Sequence, residues 1–149
     1  MSDARGRLCL SSVVSLHSRA VKIIEDKVAV YPPHALCKKD IEMLLATVPD
    51  AWTAELDTVR LSNAPAYDRG CSPPALLHSR TLTICSRGLA KEVAVTEILR
   101  ELGCKVLGLQ RRRFRRFSES DLARLTPLVQ PLVDKVVSRL SRKKVWLDR

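Results

Sequence analysis

The chain holds 149 residues, 46% hydrophobic and 28% charged, with a formal net charge of +10 at pH 7. That is the size of one domain with enough apolar residues for an ordinary core, which excludes a disordered chain. No apolar run approaches the roughly 20 residues of a membrane span, so none is expected.

The charge is uneven. Residues 100–149 contain 14 Lys or Arg against 5 Asp or Glu, which leaves residues 1–99 nearly neutral. Such asymmetry points to a nucleic acid or an acidic protein as partner of the C-terminal third. The five cysteines, at positions 9, 37, 71, 85 and 104, form no C-x-x-C pair and no zinc-ribbon spacing. Scattered, reduced thiols fit a cytoplasmic protein.

At the N-terminus, "RGRLCLSSVVSL" lacks the clean apolar stretch and small-residue cleavage site of a secretory signal. It reads instead as the start of an amphipathic helix. Over 12–26, Val13, Leu16, Ala20, Ile23 and Ile24 fall at helical spacing. "VAVY" at 28–31 reads as a short strand ended by Pro32-Pro33. A second helix is expected over 38–48, with Ile41, Leu44, Leu45 and Val48 on one face and Pro49 as its stop. "LDTVRLS" at 56–62 suits a strand. Residues 63–79 hold three prolines, a glycine and Asn63, the composition of a loop. "RTLTICSR" at 80–87 reads as a strand with Leu82 and Ile84 on one face.

Gly88 separates that strand from a long helix over 89–108. Its core stripe is Val95, Ile98, Leu99, Leu102, Val106 and Leu109. Ser118 and Asp121 then stand at capping-box spacing. Apolar residues from Leu122 to Leu140 keep a helical period, and Pro127 and Pro131 predict a kink or two abutting helices near Thr126. Helices and strands mix without a repeating βαβ pattern. The expectation is an α+β fold: one small domain over 1–149, a short sheet with packed helices, a basic connection at 110–117 and long C-terminal helices over 118–144.

"TEILRELGCKVLGL", residues 96–109, carries a chemical question. In H-E-x-x-H, histidines at i and i+4 lie one above the other on a helix and grip zinc. The Glu between them is the general base for metal-bound water. Those positions here are Arg100, Glu101 and Cys104. The strand "RTLTIC" precedes the helix, and Leu99, Leu102 and Gly103 stand where they do in "LLHELGH". On these residues, segment 80–109 resembles the active-site region of zincin-like metallopeptidases, particularly the small gluzincin-like ones. "KKDIEMLLATVPDAWTAELDTVRL" resembles the helix-turn-strand that leads such domains. The resemblance implies Glu101 at the general-base position, Arg100 and Cys104 at former ligand positions, and a third ligand from a downstream Glu on another helix.

The departures bear on activity. Arg100 has no lone pair to give a cation, and Cys104 supplies one ligand where a site needs three. His17, His34 and His78 all precede the helix, and the downstream carboxylates Glu119, Asp121, Asp134 and Asp148 stand in no matching motif. The expectation is a catalytically inactive relative with no metal and no cofactor. Ordinary helix chemistry explains some of the same residues. Glu97 with Arg100, and Glu101 with Lys105, are spaced for ion pairs worth about 0.2–0.5 kcal/mol each. Gly103 costs about 1 kcal/mol against alanine in a helix interior, so either close packing or a zincin-derived helix must account for it.

"RRRFRRF", residues 111–117, is the second sharp feature. Arg111, Arg112, Arg113, Arg115 and Arg116 can meet phosphates bidentately, and Phe114 and Phe117 can stack on bases. The run also reads as a solvated connection with both Phe tucked into the core. No helix-turn-helix, zinc-finger, RRM or KH signature accompanies it, so any binding would be sequence-nonspecific. Cys71 with His78 lacks the third, orienting group a reactive thiol needs. The sequence thus predicts an inactive zincin-like domain acting as a binding module. The alternative is a sequence-nonspecific nucleic-acid or polyanion-binding protein without metallopeptidase ancestry.

Overall fold

The computed structural model describes residues 13–16, 19–64, 74–109 and 117–147. Five strands form one sheet: β1 (Val13–Leu16), β2 (Arg19–Glu25), β3 (Thr58–Leu61), β4 (Ala75–His78) and β5 (Thr81–Ile84). Their spatial order is β1-β2-β3-β5-β4. The central strands β2, β3 and β5 run parallel, and β1 and β4 pair antiparallel at the two edges. Helices α1 (Lys38–Thr47), α2 (Lys91–Val106) and α3 (Glu119–Leu147) complete a small α+β domain, as the sequence predicts.

Strand alternation makes the two faces of the sheet different. Val21, Ile23, Val59, Leu61, Leu82 and Ile84 point inward and join Leu44, Ile98, Leu99 and Val129 in a single core. On the other face Lys22 and Arg60 are exposed, and Thr81 and Thr83 are half-buried. The helices therefore cover one face. Asp40 ties two of them together. It accepts the Cys37 N–H at 3.0 Å ahead of α1, and it lies 3.6 Å from Lys91 Nζ at the start of α2.

The helix expected over 12–26 is instead the β1–β2 pair. Val21 and Ile23 are buried while Lys22 and Ile24 are exposed, which is a period of two. Pairing with β3, Ile23 opposite Val59, supplies the backbone partners that decide the matter. "VAVY" forms no strand, and Val30 and Tyr31 are exposed. Strand β4 falls in the expected loop at 63–79.

The long helix α3 opens as its sequence predicts: Ser118 Oγ accepts the Asp121 N–H at 3.1 Å. The two abutting helices do not form, because α3 runs unbroken through Pro127 and Pro131. Both prolines are exposed, as is Ala123, whose carbonyl Pro127 leaves without a helical donor. The opposite face, Leu125, Val129, Val133, Val136 and Leu140, is buried and holds the helix together.

Candidate functional site

Helix α2 reaches its place through Ala94, Val95, Ile98, Leu99 and Leu102, all within 1% of full burial. It packs against α3 on one side and β4 on the other. Gly103 sits at the crossing with α3. A Cβ there would stand 3.2 Å from Leu125 Cδ2, 3.3 Å from Val129 Cγ2 and 3.4 Å from Trp52 Cη2. Close approach explains this glycine. Val106, expected in the core stripe, is exposed because the helix ends there.

The end of α2 is a Schellman turn. Gly108 takes φ +69, the Leu109 N–H reaches the Cys104 carbonyl at 2.9 Å and the Gly108 N–H reaches Lys105 at 3.1 Å. The Cys104 thiol donates to the Leu109 carbonyl at 3.4 Å. Cys104 thus closes a helix terminus.

Hairpin β4–β5 builds the opposite wall. Its turn residues, Ser79 and Arg80, both have positive φ, 51 and 67. Such mirror-image turns match strand twist but ordinarily use Asn or Gly. Arg80 is held by Asp57 in three ways. Its carbonyl accepts the Asp57 N–H at 2.9 Å, and its guanidinium donates to Asp57 Oδ2 at 2.7 Å and Oδ1 at 3.3 Å. The hydrogen bond to Asp57 holds the Arg80 guanidinium above its ordinary range.

Because β4 is an edge strand, backbone groups on its outer side need other partners. Glu101 supplies one: its Oε2 accepts the Leu77 N–H at 2.8 Å. Glu101 is only 7% exposed. Together these walls frame an open cleft of about 290 Å³, lined by Glu55, Leu77, Arg80, Glu101, Cys104 and Lys105 among others. Lys105 Nζ crosses to Glu55 Oε1 at 3.3 Å, so the Glu101–Lys105 pair expected from i,i+4 spacing is replaced by one to a different element. The Glu97–Arg100 pair does form, at 3.3 Å.

The structure therefore brings Glu101 and Cys104 to one cleft and turns the Arg100 guanidinium back along its own helix. The set does not fit zinc. Arg100 has no lone pair, and among the described residues no three His, Cys, Asp or Glu side chains converge on a metal-sized site. His34 is engaged elsewhere, with Nε2 2.7 Å from the Asp26 carbonyl, and His78 is exposed at the end of β4. Arg111, Arg112, Arg113, Phe114, Arg115 and Arg116 lie outside the described residues, as does Cys71. Phe117 is half-buried against the core, the less accessible of the two placements its sequence allowed.

Sequence reasoning missed Leu77, Asp57 and Arg80 because β4 itself was hidden. It missed Trp52 because no periodic pattern surrounds it. Comparison with protein-family models, curated proteins and solved structures gives no match. No helix among the described residues is long and apolar enough to cross a membrane.

Proposed function

We propose that this chain is a non-catalytic binding module. Its segment 80–109 resembles the active-site region of a zincin-like metallopeptidase with the ligand positions turned to structural use, and the chain contacts a polyanion, nucleic acid first, through Arg111, Arg112, Arg113, Arg115 and Arg116. The observation that carries the non-catalytic half is the Glu101 carboxylate. It accepts the Leu77 N–H at 2.8 Å, so the group at the general-base position anchors α2 to the sheet edge. Arg100 beside it is a cation where the resemblance would put a metal ligand. The binding half is supported by charge, with 14 Lys or Arg against 5 Asp or Glu over residues 100–149. The thiols of Cys37, Cys85 and Cys104 suit a reducing, cytoplasmic setting.

Titration of duplex DNA at a series of salt concentrations tests the binding half. Five arginines, each neutralising one phosphate, give a slope of log affinity against log salt of about −4.5. Replacing all five by Gln should bring the slope towards zero. Unchanged binding in that variant removes the run from the reading.

A second reading, a polyanion-binding protein without metallopeptidase ancestry, is favoured by Gly103, whose contacts with Leu125, Val129 and Trp52 explain the residue by packing alone. The double variant Arg100→His, Cys104→His separates the two. Zinc uptake by that variant supports the ancestral frame.

A further inference from the structure

We propose that Ser118 is a phosphorylation site for an arginine-directed protein kinase, and that phosphate there weakens polyanion binding by the adjacent run. The second part rests on the binding reading above. In the sequence Arg115-Arg116-Phe117-Ser118, guanidinium groups stand three and two residues before the serine. Acidic subsites of such kinases grip arginines at that spacing through charge-assisted, bidentate hydrogen bonds. Ser118 itself is exposed, outside regular structure and one residue ahead of α3. Its Oγ accepts the Asp121 N–H at 3.1 Å and lies 3.2 Å from Ser120 Oγ.

A kinase takes its substrate as extended chain, so the first turn of α3 must open. The packing allows this. Ser118, Glu119, Ser120, Ala123 and Arg124 are exposed, Asp121 and Leu122 are half-buried, and the buried stripe begins at Leu125. Opening the first turn leaves that stripe seated on α2, and helix ends of this kind open at low cost. In the reaction, Ser118 Oγ attacks the γ-phosphorus of a nucleoside triphosphate. The bond from that phosphorus to the β,γ-bridging oxygen breaks, the nucleoside diphosphate leaves, and the hydroxyl proton passes to a base of the kinase.

The product carries about −1.5 to −2 charges, enough to offset about two of the five neighbouring arginines. The salt slope should then fall from about −4.5 to about −2.7, and affinity near 0.1 M salt should drop by about ten- to a hundredfold.

The test treats the full chain with ATP and the catalytic subunit of cyclic-AMP-dependent protein kinase, maps the product by peptide mass spectrometry, and titrates a labelled DNA duplex before and after. Expected is one phosphoryl group on Ser118, lost in Arg115→Gln, Arg116→Gln and in Ser118→Asn, which keeps a capping side chain and so keeps the helix start. Ser118→Asn should bind DNA as the parent does and ignore the kinase. An unmodified Ser118, or modification indifferent to Arg115 and Arg116, overturns the site. Full modification with unchanged DNA affinity overturns the regulatory part. If the untreated chain binds no DNA, the binding reading and the regulatory part fail, and the mass spectrum alone decides the site.

Discussion

On one side of α2, Gly103 lets Leu125, Val129 and Trp52 come within 3.2–3.4 Å of where a Cβ would stand. On the other, Glu101 and Cys104 face a cleft and hydrogen-bond to Leu77 and Leu109. The first side is held by shape, so any added volume must displace a neighbour. The second is held by polar pairing, so it tolerates a substitute that keeps the acceptor and suffers from one that removes it. Close packing and polar pairing are thus separable within four residues of one helix.

Substitutions at four positions break or sharpen this contrast, each read by urea denaturation. Gly103→Val drives two methyl groups into Leu125 and Val129 and should cost about 3 kcal/mol. A cost near zero would mean the α2–α3 crossing is looser than the distances say. On the cleft side, Glu101→Ala strips the Leu77 N–H of its acceptor and should cost about 2 kcal/mol. Glu101→Gln keeps an oxygen in place and should cost less than about 1 kcal/mol. Equal losses in the two Glu101 variants would show that charge, not the hydrogen bond, matters there. At the start of α3, Ser118→Ala removes the cap and should cost about 1 kcal/mol, with Ser118→Asn recovering most of it. The smallest effect belongs to Arg100→Ala. Its pair with Glu97 is partly solvated, at 31% and 23% side-chain exposure, and should be worth about 0.3 kcal/mol.

The contrast also marks what a reader of the sequence could see. Helix α2 was legible because Val95, Ile98, Leu99 and Leu102 repeat at steps of three and four, and β5 because Leu82 and Ile84 alternate with threonines. The start of α3 was announced by Ser118 and Asp121. Strand β2 reads as helix in the sequence because Ile23 and Ile24 are adjacent, and two neighbouring isoleucines satisfy a helical stripe as well as a strand with one residue turned out to solvent. Strand β4 was hidden more deeply. Its turn to β5 is Ser79-Arg80, two residues of positive φ with neither Gly nor Asn, and what permits them is Asp57, far away in sequence.

Strand β4 also carries the partner of Glu101. The motif positions Arg100, Glu101 and Cys104 were legible, and so was the missing lone pair on Arg100. The use of Glu101 was not, because its partner is a backbone N–H on a strand the sequence did not reveal. The same holds for Lys105, whose helical spacing named Glu101 while its actual partner, Glu55, comes from the segment before β3.

The most direct test of the central claim, that Arg100, Glu101 and Cys104 serve the scaffold and hold no metal, is elemental analysis of the purified chain after dialysis against zinc and then against metal-free buffer. The account predicts zinc far below one atom per chain. One tightly held zinc per chain would contradict it.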